Sequence, residues 1–391
     1  MSEDIPYSRQ WIDEQDIKAI ERILRSDYLT QGPAVEAFER ALAERFSVKR
    51  AVVCSTGTAA LHLAYAGLGV NEKSVGIIPP ITFAATANAF LYLGSEVAFC
   101  DVDPVTGLLS PENLEEILNA RNSHSDAANL VVPVSFAGTL PPLRETAETA
   151  KIHGFSLVED AAHSPGAWKE SASGKHDESG ACIHTRAAIL SFHPVKHICC
   201  GEGGAILTNE EDLADRIIHL RSHGISRPND TSRDRPWFYE QCDLGWNYRL
   251  TDIQSALGLS QLRRLDKFLE RRRELAARYH ETLSCLPFSE FFSLPFTDPG
   301  HAWHLYIIRF HMTSLRDKAH RFLKERGIHT QIHYVPVYRH PYYEQRFGKI
   351  RLPGAESFYE SCLSIPLFPK MNDSEQDRVV EALEDFAVKV S

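Results

Sequence analysis

The stretch Arg50-Ala51-Val52-Val53-Cys54-Ser55-Thr56-Gly57-Thr58-Ala59-Ala60-Leu61-His62-Leu63-Ala64-Tyr65-Ala66-Gly67 decides the fold. Arg50 to Cys54 is a short apolar run and reads as a strand; a turn of small residues follows, and Thr58 to Gly67 reads as a helix. The unit then repeats, with a strand from Ser74 to Ile78, a helix from Ala84 to Leu93 and a strand from Glu96 to Asp101. Alternating strands and helices predict βα units in a sheet covered on both faces, an α/β protein.

Upstream, Ile17, Ile20, Ile23 and Leu24 form a helical stripe between Glu14 and Ser26. The polar turn Leu29-Thr30-Gln31-Gly32-Pro33 ends that helix, and a second one runs to about Phe46. Downstream come a strand from Asn129 to Val134, a helix near Pro142 to His153, and the strand Ser156 to Asp160. The paired strands Ala187 to Ser191 and Gly204 to Thr208 suggest a hairpin-like departure from pure βαβ. Between Ser226 and Gln241 the chain is polar, a mobile connection or a binding loop. After it, a helix is expected from Thr251 to about Arg278, strands around Trp303 to Phe310, a helix from Leu315 to Arg326, a strand from Thr330 to Tyr334 and a closing helix from Ser374 to Val388. A chain of 391 residues exceeds the size at which one core stops growing, which predicts a large domain over 1–255 and a smaller α/β domain over 256–391.

Composition narrows the class. Hydrophobic residues at 43% and charged residues at 24% are ordinary globular usage, and no low-complexity tract or fixed repeat appears. A formal charge of −10 argues against nucleic acid as a partner. The one dense basic run, Arg271-Arg272-Arg273, reads as the solvated face of a helix. The eight cysteines include no CxxC pair and no paired metal spacing, so no metal is expected and a reducing, cytoplasmic setting fits. The acidic start Met1-Ser2-Glu3-Asp4 is unlike a signal peptide and no run is long enough to span a membrane, so no membrane partner is expected.

Candidate chemistry sits where strands end. Ser191-Phe192-His193-Pro194-Val195-Lys196 leaves an apolar strand for a turn and is followed by Gly201-Glu202-Gly203-Gly204, whose bare backbone would let a ligand approach. Desolvation there can lower a lysine's pKa, as imine chemistry requires. Asp160 ends the strand of Phe155-Ser156-Leu157-Val158-Glu159-Asp160-Ala161-Ala162-His163, a place where open α/β sheets bind ligands. A carboxylate there can pair with a pyridinium nitrogen. His163 is placed to hydrogen-bond a phenolic oxygen. The turn from Cys54 to Thr58 into a helix is a natural phosphate site, and Phe83 can stack on a planar ring. Taken singly, each has a plainer reading: an exposed loop lysine, a helix N-cap, a buried histidine, an ordinary polar turn and a core phenylalanine.

Together the motifs are more specific. Gly57-Thr58-Ala59-Ala60, Pro80-Ile81-Thr82-Phe83, Asp160-Ala161-Ala162-His163, Ser191 to Lys196, Gly201 to Gly204 and Gly245-Trp246-Asn247-Tyr248-Arg249-Leu250-Thr251-Asp252-Ile253-Gln254 resemble, in order and spacing along nearly the whole chain, the DegT/DnrJ/EryC1/StrS family of nucleotide-sugar aminotransferases. The resemblance implies a pyridoxal 5'-phosphate (PLP) enzyme of fold type I, aspartate aminotransferase-like. It has a large domain with a mostly parallel seven-stranded sheet, a smaller C-terminal α/β domain, and a homodimer with shared active sites. By the same resemblance Lys196 is the Schiff-base lysine and general acid/base, Asp160 pairs with the pyridine nitrogen, His163 contacts the phenolic oxygen and Phe83 stacks on the ring. Gly57, Thr58 and Ser191 hold the phosphate, and Asn247 reaches the cofactor phosphate of the neighbouring subunit.

Further segments, among them Ile5-Pro6-Tyr7-Ser8-Arg9-Gln10, Leu29 to Pro33, Arg221-Ser222-His223-Gly224 and Gln331-Ile332-His333-Tyr334-Val335-Pro336-Val337-Tyr338, resemble the pseudaminic acid branch of that family. That implies amination at C4 of UDP-2-acetamido-2,6-dideoxy-β-L-arabino-hex-4-ulose with L-glutamate as donor, giving UDP-4-amino-4,6-dideoxy-N-acetyl-β-L-altrosamine. Tyr7, Gln31, His304 and His333 are the candidates for the sugar-nucleotide pocket. The rival readings are an aminotransferase for another nucleotide sugar and a non-catalytic PLP-binding sensor. A sugar dehydratase of this kind carries histidine in place of the lysine, and Lys196 is present. Cys199-Cys200 departs from the small hydroxyl residues expected before the glycines, which predicts weakened cofactor contacts and sensitivity to oxidation if that position faces the cofactor.

Overall fold

The computed structural model describes residues 4–120, 127–170, 174, 176–226, 235, 237–284 and 287–390. Seven strands form the main sheet: β1 (Arg50–Cys54), β2 (Val75–Ile78), β3 (Glu96–Phe99), β4 (Leu130–Val131), β5 (Ser156–Asp160), β6 (Ala187–Ser191) and β7 (Gly204–Thr208). Their order is β1-β7-β6-β5-β4-β2-β3. Only β7 runs against the rest, pairing antiparallel with β1 and β6, while β2, β3, β4, β5 and β6 pair in parallel. The sheet is thus mostly parallel and matches the α/β fold expected.

Apolar faces explain its burial. Val52, Ile78, Val158, Ile189 and Ile206 pack on the face covered by the helices Gly57–Gly67, Ala85–Tyr92 and Glu211–Arg221. Val53, Ala188, Leu190 and Leu207 face the other way, toward the helices Pro33–Arg45 and Asp252–Leu262. Strands buried on both faces read as continuous apolar runs, which is why all seven are visible in sequence. β4 is shorter than the run Asn129 to Val134 suggests.

A second core is built on the three antiparallel strands β8 (Phe292–Ser293), β9 (Tyr306–Phe310) and β10 (Cys362–Ile365), against the helices Thr313–Glu325 and Asp373–Val390. The expected strand Thr330 to Tyr334 is not one: only Gln331 bridges, to Ser364. The expected helix from Thr251 to Arg278 is two helices, Asp252–Leu262 and Leu265–Ser284. At the joint Arg264 turns back to bind Asp13 and Asp16 of the N-terminal helix, and Gln261 Nε2 donates to Asp16 at 2.6 Å.

Leu265, Phe268 and Leu269 of the second helix belong to the large core, whereas Leu275, Ala276, Tyr279 and Leu283 belong to the small one. The boundary drawn at 255/256 falls inside the helix Asp252–Leu262; we propose that the division passes through the longer helix, between Leu269 and Leu275. This helix also corrects the reading of the arginine run. Arg272 is 0% exposed and donates through Nη1 to the carbonyls of Trp303, His304 and Leu367. A helix wedged between two cores has no solvated face at that position.

The polar connection 226–241 lies largely outside the described residues; its ends pair, Ile225–Ser226 with Glu240–Gln241. Among the described residues no helix is long and apolar enough to cross a membrane.

Candidate active site

The parallel strands deliver their carboxyl ends to one cavity of about 970 Å³. Its lining includes Gly57 and Thr58 after β1, Thr82, Phe83 and Thr86 after β2, Asp160 and His163 after β5, and Ser191 and Lys196 after β6. Side chains alternate across a strand, so of two adjacent carboxylates only Asp160 faces the cavity. Its Oδ2 accepts from Thr86 Oγ1 at 2.8 Å and its Oδ1 from the Ala162 N–H at 3.2 Å. Thr86 is itself bonded to Thr82 at 2.8 Å. Burial pushes the Asp160 carboxyl up, while those donors and the charge of Lys196 pull it down.

Lys196 sits in a turn that its own N–H closes on the His193 carbonyl at 2.9 Å. Burial lowers its amine to about 8, with the charge of Asp160 opposing. The pair therefore holds a buried carboxylate opposite an amine whose neutral form is far more populated near neutral pH than that of an ordinary lysine. His163 completes this wall: its Nε2 lies 3.2 Å from the Tyr334 hydroxyl, and burial drives its pKa far below the usual histidine range. It is a neutral imidazole.

At the other end, helix Gly57–Gly67 begins. Thr56 caps it by accepting from the Ala59 N–H at 3.0 Å, and helix geometry leaves the Gly57 and Thr58 amides without intrahelical acceptors. A Cβ on Gly57 would stand 3.0 Å from Ser191 Cβ and 3.1 Å from its Oγ, so glycine keeps this corner open. Phe83, 64% exposed, flanks the cavity with its ring 6.4 Å from that of Tyr334. Free helix amides with a serine, an uncovered aromatic face, a buried carboxylate and a low-pKa lysine are the donor set that a phosphorylated pyridine aldehyde needs. The residues present fit PLP.

The profile of the DegT/DnrJ/EryC1/StrS aminotransferase family matches residues 10–384. The chain belongs to that family. It is a PLP-dependent sugar aminotransferase. It is 37% identical over 390 residues to the UDP-4-amino-4,6-dideoxy-N-acetyl-beta-L-altrosamine transaminase of Campylobacter jejuni, covering 99% of this chain and 98% of that one. It is 34% identical over 399 residues to the spore coat polysaccharide biosynthesis protein SpsC of Bacillus subtilis, covering 97% and 96%. Among solved structures, Helicobacter pylori PseC, an aminotransferase involved in the biosynthesis of pseudoaminic acid, superposes with a TM-score of 0.88 at 29% identity, covering 99% of this chain and all of that one.

Within this aminotransferase the other candidates divide. Tyr7 and His333 line the cavity, their rings 5.4 Å apart, with His333 Nδ1 2.8 Å from Ser364 Oγ. His304 does not line it; it is buried behind His163. Gln31 and Asn247 are exposed and outside the cavity of this chain. The segments that carry them are fixed by Asp252, whose carboxylate caps the helix Pro33–Arg45 by accepting from the Gly32 and Ala34 N–H groups at 2.7 and 3.0 Å.

Two expectations change. Gly203 and Gly204 do not open the backbone to a ligand. A Cβ on Gly204 would lie 2.4 Å from the Thr56 carbonyl oxygen, so glycine there lets β7 press against the turn that precedes helix Gly57–Gly67, whereas Gly201, at φ +82, has open space beside it. Cys199 and Cys200 face the core, not the cavity, and burial raises both thiols. The expected weakened cofactor contact and oxidation sensitivity have no basis in that geometry. Thr86 and Tyr334 are site residues that sequence reading missed. A threonine one helical turn after Thr82, on an apolar helix, was the available signal for the first.

Proposed function

We propose that the enzyme moves the amino group of L-glutamate to C4 of UDP-2-acetamido-2,6-dideoxy-β-L-arabino-hex-4-ulose, giving UDP-4-amino-4,6-dideoxy-N-acetyl-β-L-altrosamine. The observation that carries the chemistry is Lys196 opposite Asp160 at the floor of the cavity. The 37% identity to the Campylobacter transaminase supports the sugar. The similarity to the spore coat protein keeps a second reading open, in which the acceptor is another nucleotide-linked keto sugar.

Bound PLP supplies an electron sink and a carrier for the amino group. Lys196 would hold the cofactor through its Nζ, and that amine, neutral in part because of burial, would be the group placed to accept the donor's α-proton. Asp160 keeps the pyridine nitrogen protonated, and Thr86 and the Ala162 amide hold that carboxylate in place. Gly57, Thr58 and Ser191 hold the phosphate, Phe83 covers the ring, and His163 donates to the phenolic oxygen. Tyr7 and His333 contact the sugar nucleotide. The donor leaves as a keto acid before the sugar enters, so the kinetics are ping-pong.

A second copy of the chain completes the site through Asn247 and Gln31. The exposed Leu244 beside Asn247, and Tyr28 and Leu29 beside Gln31, support such a contact. The test is spectral. L-glutamate bleaches the absorbance of lysine-bound cofactor, and the UDP-linked 4-keto sugar restores it. Restoration only by a different keto sugar reassigns the acceptor; absence of bleaching by glutamate removes the donor.

A further inference from the structure

Behind the cavity wall three imidazoles lie in a row. The ring of His163 is 4.2 Å from that of His304, and His304 is 5.3 Å from His197. All three are buried, and the Nδ1 atom of each has no hydrogen-bond partner among the described residues. Only His163 lines the cavity.

The row is held from behind. His197 Nε2 lies 3.0 Å from the Ala302 carbonyl oxygen. Arg272 Nη1 donates to the His304 carbonyl at 3.2 Å. Gly138 packs so closely that a Cβ there would stand 2.8 Å from the Trp303 nitrogen and 2.9 Å from that of His304. The His304 backbone is therefore clamped between a buried guanidinium and a glycine turn. A phenyl ring would fill the same volume with no nitrogen to desolvate, yet the chain buries an imidazole with an unpartnered atom. Such a group needs a role that a hydrocarbon lacks.

We propose that His304 is a positioning residue for aminotransfer: it holds the His163 ring against the Tyr334 hydroxyl and through that ring sets the polarity of the wall beside Lys196. The proposal rests on Lys196 as the cofactor-bonding residue. The titratable and charged groups around His163 are Lys196, His197, His304, His333 and Tyr334, and those around His304 are His163, Lys196, His197 and Arg272. Burial keeps both imidazoles neutral. A change in pH response then reports the lysine and its cofactor, not the titration of the row.

His304→Phe keeps a ring and removes both nitrogens. On the holoenzyme, the pH midpoint of the lysine-bound cofactor's absorbance should move by about one unit and kcat should fall about tenfold, with KM for the donor changed less than about twofold. His304→Gln, which keeps a side-chain amide, should recover part of the shift. In a His163→Asn background His304→Phe should add no further shift, because its effect runs through His163. An unchanged midpoint and kcat overturn the proposal, as does the same added shift in both backgrounds. Where the phenylalanine variant fails to fold, His304→Gln with a wild-type midpoint and kcat overturns it equally. Retention of the cofactor band by Lys196→Ala is a different failure: it removes the lysine assignment on which the proposal stands.

Discussion

Glu159 and Asp160 are neighbours on β5, both buried, and they face opposite sides of the sheet. Glu159 accepts from Ser135 Oγ and Ser179 Oγ, each at 2.6 Å, and from the Gly180 N–H at 3.0 Å. Those donors tie the loop after β4 to the turn before β6, and Glu159 is not among the residues that line the active-site cavity. Asp160 has two donors, an opposing lysine and open space beside it. Burial raises both pKa values, but one carboxylate takes three donors from the protein and lies off the cavity, while the other takes two and faces the cavity, able to accept from a bound group. A buried acid with spare acceptor capacity at a strand end marks function; a buried acid whose oxygens are filled marks architecture.

Exchanging the two carboxylates for amides should separate these roles. Asp160→Asn should lower kcat by about two to three orders of magnitude with little change in melting temperature, because the pyridine nitrogen loses its counter-charge. Glu159→Gln should do the reverse, costing about 2 kcal/mol of stability in denaturant titrations while the folded fraction keeps most of its kcat. Equal effects of the two on turnover would erase the distinction.

The pH response sharpens the Asp160 side. The neutral amine of Lys196 is the form that bonds an aldehyde, and burial lowers it to about 8 against the opposing charge of Asp160. Cofactor capture by the apoprotein should therefore accelerate as pH rises through about 8 and level off above it, running at roughly a tenth of the plateau at pH 7. A lysine with an ordinary pKa would keep gaining rate beyond about pH 10. The smallest effect is expected from Thr86→Val, which removes one donor to Asp160 and keeps the shape. It should lower kcat about tenfold and leave cofactor content intact, read by absorbance after gel filtration.

The strand ends were legible because buried parallel strands are continuous apolar runs and because chemistry sits in the turns that follow them. Lys196, Asp160, His163, Gly57, Thr58, Ser191 and Phe83 meet in one cavity for that reason. Sequence pattern failed where a residue serves a neighbour distant in the chain. Arg272 looks like one of three solvated arginines, but its Nη1 donates to three carbonyls distant in the chain, those of Trp303, His304 and Leu367. The break at Arg263–Arg264 is set by acids near residue 13, some 250 positions away, and local periodicity does not carry that information. Thr330 to Tyr334 alternates like a strand, yet Ile332, His333 and Tyr334 line the cavity. His304 is a candidate for the sugar pocket in sequence but is buried behind His163, a depth that sequence does not carry.

Reduction of the holoenzyme with borohydride, followed by proteolysis and mass spectrometry, tests the central claim most directly. The cofactor should be found fixed to the peptide carrying Lys196 and to no other lysine, and Lys196→Ala should carry none. Cofactor fixed to a different lysine, or the same labelling in Lys196→Ala, would contradict the account.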